Sequence, residues 1–140
     1  MNVTWLVTGS AGFIGSNLCT MLLQNEHKVI GFDNLSTGKQ SNIDRVMKNA
    51  QGRYNFVEGD ICDKDKISKI ISSEIDVVVH LAAQGSVQKS FSNVAFNNRQ
   101  NIDGFLNVFN AAGENNIAKF IYASSCAVYG ETSVFPITEE

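Results

Sequence analysis

The chain has 140 residues, of which 44% are hydrophobic and 18% are charged, and its formal net charge is −3 at pH 7. This length and composition predict a single globular domain with a substantial core and argue against a disordered chain. The slight acidic excess, with no basic run, argues against nucleic acid or a membrane surface as a partner. No apolar stretch reaches the length of a membrane span.

The N-terminal residues and the spacing of the cysteines bear on whether the protein is secreted or cytoplasmic. Residues 1–10 lack the basic start and the long apolar core of a signal peptide. The three cysteines, Cys19, Cys62 and Cys126, are an odd number without the spacing of a metal site. We therefore expect reduced thiols, no metal ion and a cytoplasmic protein.

Five short runs of β-branched and aromatic residues alternate with helical patterns. The predicted strands are Val3–Val7, Val29–Phe32, Tyr54–Glu58, Ile75–His80 and Lys119–Ala123, and the predicted helices are Phe13–Gln24, Ile43–Lys48, Lys64–Ser72 and Val94–Asn115. The strands lack polar alternation, which is typical of strands covered on both faces. The alternation predicts an α/β domain over residues 1–140 with a doubly wound parallel sheet in the order 3-2-1-4-5.

The last predicted helix and the last predicted strand both carry apolar residues that nothing later in the chain would cover. An apolar stripe on the helix is formed by Phe96, Ile102, Phe105, Leu106, Phe109 and Ala112. The fifth strand would leave an apolar edge at Ile121 and Tyr122, which natural sheets rarely leave uncovered. We therefore expect the sheet to be truncated before its last strands.

A glycine-rich turn, Thr8-Gly9-Ser10-Ala11-Gly12-Phe13-Ile14-Gly15, follows the first strand. Gly9 would permit the tight turn, Gly12 would let a pyrophosphate approach the backbone, and Gly15 would let the helix pack closely on the strand. The first helical amides, at Phe13 and Ile14, would then face phosphate at the positive end of the helix dipole.

Asp33 ends the second strand about 20 residues after this turn, where a carboxylate can accept hydrogen bonds from a ribose diol. It would repel a 2′-phosphate, which favours NAD over NADP, unless Lys39 folds back over the ribose. The residues that follow are either an ordinary loop or part of the cofactor site; the candidates are Asn34, Ser36, Thr37 and Gly38.

Three further strand ends carry candidate site residues. After the third strand, Asp60 could accept from an adenine amino group with Ile61 packed on the ring, or Asp60 could cap the helix that begins near Asp63. His80 ends a buried strand with no carboxylate nearby in sequence, so we interpret it as structural. Small residues after it, and hydroxyls after the fifth strand, would meet in the ligand crevice; these candidates are Leu81, Ala82, Ala83, Gln84, Ser124 and Ser125.

Taken together, these motifs resemble the extended short-chain dehydrogenase/reductase superfamily, and most closely its NAD-dependent epimerase/dehydratase family of UDP-glucose and UDP-N-acetylglucosamine 4-epimerases. The matching pieces, in family order, are Thr8–Gly15, Asp33–Gly38, Gly59–Ile61, His80–Gln84, Asn101–Gly104 and Ser124–Gly130. The resemblance covers nearly the whole chain. It implies a Rossmann-type fold, NAD as cofactor, and the N-terminal, cofactor-binding portion of a longer enzyme.

By position, the resemblance implies that Ser125 is the catalytic serine, which would hydrogen-bond the sugar 4-hydroxyl. Ser124 would line the sugar or nicotinamide site, Ser86 would touch the sugar, and Asn101 would belong to the cofactor site. The family's catalytic Tyr-x-x-x-Lys motif does not occur in the chain, and Tyr129 does not replace it. We therefore expect the chain by itself to be inactive.

The resemblance also implies a nucleotide-sugar substrate. The two residues after Ser125 bear on which reaction this substrate would undergo. Relatives that eliminate water carry Asp-Glu after the catalytic residue, whereas this chain has Cys126 and Ala127, which favours an epimerase. The alternatives are another NAD-dependent dehydratase or reductase, and a non-catalytic NAD-binding module. The expected role lies in nucleotide-sugar metabolism and polysaccharide biosynthesis, with a UDP-linked sugar as substrate and a homodimer or larger assembly.

Overall fold

A parallel sheet of five strands forms the centre of the molecule. The computed structural model describes residues 2–131, 133 and 135–139. The strands are β1 (Thr4–Thr8), β2 (Lys28–Asp33), β3 (Tyr54–Glu58), β4 (Val77–His80) and β5 (Lys119–Tyr122), and their order in the sheet is β3-β2-β1-β4-β5. This confirms the predicted doubly wound order. The strands differ from the predicted runs by at most two residues at either end.

The helices flank the sheet. They are α1 (Phe13–Gln24), α2 (Gln40–Lys48), α3 (Lys64–Ile70), α4 (Val87–Ser92), α5 (Val94–Asn98) and α6 (Gly104–Glu114). A π-helical segment, Arg99–Asp103, joins α5 to α6, and a 3-10 turn spans Cys126–Tyr129. Among the described residues, no helix is both long and apolar enough to cross a membrane.

Helix α2 begins three residues before its predicted start and α3 ends two residues before its predicted end, and the elements between β4 and β5 differ more. The single helix predicted over Val94–Asn115 is interrupted by the π-helical segment, which periodicity alone does not reveal. Helix α4 was not predicted because six residues are too few to display helical periodicity. Its start is fixed locally, since the Ser86 hydroxyl accepts a hydrogen bond from the backbone N–H of Lys89 (3.3 Å).

Successive strand residues face opposite sides of the sheet, and each side has its own core. Val7 packs with residues of α1 and α2, including Leu23 and Ile43, on one side. Leu6 packs with residues of α3 and α6, including Ile67 and Val108, on the other. Coverage on both faces explains why the strands lack polar alternation.

Most of the apolar stripe predicted on the last helix lies outside the core. Helix α6 buries small residues and one valine: Gly104, Val108, Ala111 and Ala112. Phe96, Ile102, Leu106 and Phe109 are all exposed, and Phe105 is half-buried. On β5, Ile121 and Tyr122 are also exposed. The helix must approach closely at its first turn, because a Cβ on Gly104 would lie 2.6 Å from the side chain of Ile61.

Candidate functional site

The strand register aligns the carboxyl ends of the sheet. Thr8 pairs with both Phe32 and His80, Asp33 pairs with Glu58, and His80 pairs with Tyr122. The loops that leave these ends therefore emerge along one edge. In doubly wound sheets, this edge is where ligands bind.

The glycine turn is held tightly between β2 and the loop after β4. Gly9 has a φ of 71°, and its backbone N–H donates to the carbonyl oxygen of Phe32 (2.8 Å). A Cβ on Gly9 would lie 2.8 Å from the backbone nitrogen of Ala82, and one on Gly15 would collide with the carbonyl oxygen of Gly9. Both glycines are therefore required by close backbone approach, as the sequence spacing predicts.

Gly12 precedes the first residue of α1 and leaves the helix start accessible. A Cβ there would meet only the carbonyl oxygen of Gly9, at 3.2 Å. The first intrahelical hydrogen bond runs from the backbone N–H of Ser16 to the carbonyl of Gly12 (3.1 Å). The amides of the first turn precede that bond, so they can serve an anion. Phe13 and Ile14 are both strongly exposed there.

Asp33 is buried beside this turn, with 8% of its surface exposed. One carboxylate oxygen accepts from the backbone N–H of Ala11 (3.0 Å) and the other from that of Leu35 (2.8 Å). A carboxylate has about four acceptor positions, so two backbone bonds leave capacity for a ligand. Lys39 is exposed, and its backbone N–H donates to the carbonyl of Ala11 (3.0 Å).

A first cleft opens next to Asp33. Its lining contains many of the predicted cofactor residues and three that were not predicted; it consists of Gly9, Gly12, Phe32, Asp33, Asn34, Ser36, Thr37, Gly38, Gly59, Ile61, Leu81, Ala82, Ala83 and Gln100. Phe13, Ile14, Gly15 and Asp60 are not among these residues.

Asp60 does not cap a helix. The cap of α3 is Asp63, whose side chain accepts from the backbone N–H of Lys66 (3.0 Å). The Asp60 carboxylate instead accepts from the backbone N–H of Cys62 (2.8 Å) and from the side chains of Asn34 and Gln100. Burial alone would raise the pKa of Asp60, but these hydrogen bonds outweigh burial and lower it, so the group is a carboxylate at neutral pH.

A second, more open cleft lies between the loops after β4 and β5. The residues that line it are His80, Leu81, Ala82, Ala83, Gln84, Gly85, Ser86, Val87, Ser90, Asn101, Phe105, Tyr122, Ala123, Ser124 and Ser125. The two clefts share Leu81, Ala82 and Ala83. They therefore meet at the loop after β4, with Asp33 in one and Ser125 in the other.

The loop shared by the clefts is fixed from both sides. On one side, the hydroxyl of Thr8 accepts from the backbone N–H groups of Leu81 and Ala82 (3.2 Å each). On the other, the Asn101 side chain accepts from the backbone N–H of Gln84 (2.7 Å) and donates to its carbonyl (3.1 Å). This loop, Leu81–Gln84, is therefore held by Thr8 on one side and by Asn101 on the other, and we call it the floor of the site.

His80 lies beneath this floor and is buried. Its Nδ1 is 2.9 Å from the hydroxyl oxygen of Thr8. That oxygen already accepts two backbone N–H bonds, so its own proton points at Nδ1, and the histidine is neutral with its proton on Nε2. Burial lowers the pKa of His80 to about 4, which agrees with a neutral, structural role.

Ser125 is exposed at the rim of the second cleft. Its hydroxyl accepts from the backbone N–H of Ala127 (3.2 Å) and so caps the 3-10 turn. Cys126 and Ala127 follow within that turn and are exposed. Among the described residues, no group of three or more His, Cys, Asp or Glu side chains could hold a metal ion.

The residues present fit a dinucleotide. The crowding at Gly9 and Gly15 brings the helix start, the floor and Asp33 together, and Gly12 leaves space beside the free amides. The first cleft provides a buried carboxylate for a ribose, and the loop of small residues leads into the second cleft. This is the arrangement that dinucleotide-binding folds require.

Comparison with known proteins decides the family. The model of the NAD dependent epimerase/dehydratase family matches residues 5–140. The chain belongs to this family. A putative UDP-glucose 4-epimerase of Methanocaldococcus jannaschii is 40% identical over 135 residues, which are 96% of this chain and 42% of that protein.

Solved structures of the epimerase/dehydratase family have the same fold. A UDP-glucose 4-epimerase from Stenotrophomonas maltophila, crystallised with NAD and formylated UDP-arabinopyranose, matches 99% of this chain with a TM-score of 0.89 and 31% identity. A UDP-N-acetylglucosamine 4-epimerase from Methanobrevibacter ruminantium, in complex with UDP-N-acetylmuramic acid, matches 99% with a TM-score of 0.86 and 38% identity. The chain spans 41% and 43% of those two chains.

Some residues that line the clefts were not predicted from the sequence as site residues. Gln100 lines the first cleft, and Phe105 and Tyr122 line the second. Phe105 was expected only as part of an apolar stripe. Gln100 adjoins Asn101 in sequence, and both lie in the π-helical segment, from which Gln100 contacts Asp60 and Asn101 contacts Gln84.

Proposed function

We propose that the chain is the NAD-binding portion of a nucleotide-sugar 4-epimerase. The observation that carries this proposal is the pair of clefts that meet at Leu81–Ala83, with Asp33 in one and Ser124 and Ser125 in the other. One end fits an adenosine ribose, and the other supplies hydroxyls for a sugar. The names of the relatives agree with that arrangement.

Asp33 supports NAD over NADP. Its carboxylate is buried and aligned by two backbone N–H groups, so it can accept from ribose hydroxyls and would repel a 2′-phosphate. Lys39, the first basic residue after Asp33, is exposed at the start of α2. The amides at the N-terminus of α1, at Phe13 and Ile14, would hold the pyrophosphate.

The sugar end would be served by Ser124, Ser125 and Ser86. When bound, NAD would supply the hydride acceptor and donor for oxidation and re-reduction at C4. Ser125 would hydrogen-bond the 4-hydroxyl and relay its proton, but a serine needs an adjacent base to remove that proton. The family's Tyr-x-x-x-Lys pair would provide the base.

Epimerisation is favoured over dehydration by the two residues after Ser125. Eliminating water requires an acid and a base near the sugar. Cys126 and Ala127 occupy those positions in the exposed 3-10 turn, and neither is a carboxylate. A UDP-linked hexose or N-acetylhexosamine is therefore the proposed substrate class, within nucleotide-sugar metabolism, polysaccharide biosynthesis and a cytoplasmic location.

Calorimetric titration of the chain with NAD and NADP tests the proposal. We expect NAD to bind more tightly by about tenfold to a hundredfold, which corresponds to roughly 1.5–3 kcal/mol for a charge-assisted hydrogen bond. Equal or tighter binding of NADP would contradict it.

The variant Asp33→Asn removes the charge and keeps the shape. It should weaken NAD binding and reduce the ratio by which the chain binds NAD more tightly than NADP. The matched control is Asp44→Asn, which removes an exposed carboxylate on α2 that accepts from Gln40 (3.0 Å), and it should leave both affinities unchanged. Thermal melting of both variants separates lost binding from lost folding.

A further inference from the structure

The carboxylate of Asp60 is held by donors from three parts of the chain. One oxygen accepts from the backbone N–H of Cys62 (2.8 Å), and the other accepts from the side-chain amide of Asn34 (3.1 Å). The amide nitrogen of Gln100 lies 3.4 Å from the first oxygen and 3.3 Å from the second. Gln100 is the donor that spans both oxygens, so it restrains rotation of the carboxylate.

The π-helical segment explains how Gln100 reaches Asp60. The carbonyl of Arg99 accepts from the backbone N–H of Gly104, five residues later, and also from the thiol of Cys62 (3.3 Å). The side chain of Asn107 donates to the carbonyl of Ile61 (3.0 Å). The wide turn therefore fastens the helix to the loop that carries Asp60.

The same segment directs two consecutive side chains to two different loops. Gln100 contacts Asp60 after β3, whereas Asn101 holds the loop after β4 through Gln84. Gln100 also lines the first cleft together with Ile61 and Asp33. Its side chain therefore reaches both the Asp60 carboxylate and the first cleft, where Gly59 and Ile61, the neighbours of Asp60 in sequence, also lie.

We propose that Gln100 is a positioning residue for base recognition, which sets a preference for adenine over hypoxanthine by holding the Asp60 carboxylate. This inference rests on the proposed function, in which the first cleft takes the adenosine end of NAD. Adenine carries an amino group that donates to a carboxylate. Hypoxanthine carries a carbonyl oxygen at the same position, which a fixed carboxylate repels.

The test compares two ligands, NAD and nicotinamide hypoxanthine dinucleotide, by calorimetric titration. The measured quantity is the ratio of their dissociation constants. Gln100→Leu keeps a similar volume and removes the amide, and we expect it to reduce the ratio on the order of threefold to tenfold, mostly by weakening NAD. The matched control Asn98→Leu changes an exposed residue on the same helical path and should leave the ratio unchanged.

A double-mutant cycle with Asp60→Asn tests whether Gln100 acts through Asp60. We expect Gln100→Leu to have no further effect on the ratio once Asp60→Asn is present. An equal effect in both backgrounds would overturn the positioning role. Gln100→Met has a similar length and also lacks the amide, so the same reduction of the ratio is expected, and it replaces Gln100→Leu if that variant does not fold.

Failure of this inference is distinguishable from failure of the proposed function. If the unsubstituted chain binds NAD but Gln100→Leu weakens both dinucleotides equally, Gln100 is only structural and the inference is wrong. If the unsubstituted chain binds neither dinucleotide, the proposed function is wrong, and the inference is overturned with it.

Discussion

Acid should weaken this fold through His80, which lies under the floor shared by the two clefts. Burial lowers the pKa of His80 to about 4, whereas a histidine in the unfolded chain has a pKa of about 6.5. The unfolded chain therefore binds a proton that the folded chain excludes. Stability that is present above pH 6.5 is lost as the pH falls toward 4.

The size of the effect follows from these two pKa values. At pH 5 the unfolded histidine is almost fully protonated, while only about one tenth of the folded form is. Integrating this difference from pH 7.5 to pH 5.0 gives a loss of roughly 2 kcal/mol in the free energy of unfolding. Most carboxyl groups titrate at lower pH, so this window isolates the histidine.

Urea unfolding at pH 7.5 and pH 5.0 measures this loss. In His80→Gln the difference between the two pH values should shrink by about 2 kcal/mol, because the titrating group is gone. The control His27→Gln removes the other histidine, near the start of β1, where its ring accepts from the backbone N–H of Val3 (3.3 Å). It should retain the loss, because His80 is intact. An unchanged pH difference in His80→Gln would refute the reasoning.

Three further outcomes are expected. Gly9→Ala should reduce the free energy of unfolding by at least about 3 kcal/mol in a denaturant melt, since both its positive φ and the nearby backbone oppose a Cβ. Gly52→Ala, with a φ of 76° and open space, should cost only about 1–2 kcal/mol. Light scattering should detect a dimer or larger species, which Leu106→Glu on the exposed face of α6 should weaken; a monomer at high concentration contradicts this. The 140-residue chain should not turn over UDP-glucose, whereas with the Tyr-x-x-x-Lys portion joined to it, Ser125→Ala should lower turnover at least tenfold.

The fold could be predicted largely because the three central strands, β2, β1 and β4, are largely buried and therefore lack polar alternation. Runs such as Tyr54–Glu58 contain the same residues in the sequence pattern and in the structure. Helix α1 also begins and ends as predicted, since the glycine turn determines its start. The helix after β4 could not be predicted in detail, because its π-helical segment depends on contacts from Cys62 and Asn107 with residues distant in sequence.

The site was predicted unevenly for a related physical reason. Residues next to strand ends, such as Asp33 and Leu81, reach the clefts whatever the helices do, because the sheet register places them there. Side chains on helices reach a site only if the helix has the right rotation. Gln100 was missed for this reason, and the partners of Asp60 could not be inferred from its neighbours in sequence.

The anchors of the loop after β4 also indicate how the two clefts are coupled. The Thr8 hydroxyl of β1 accepts hydrogen bonds from Leu81 and Ala82, and the Asn101 side chain of the π-helical segment is hydrogen-bonded to Gln84. Because Gln100 is adjacent to Asn101, one π-helical segment contacts both the loop at the first cleft and the loop at the second. A shift of that segment would therefore move the proposed base site and the floor of the proposed sugar site together.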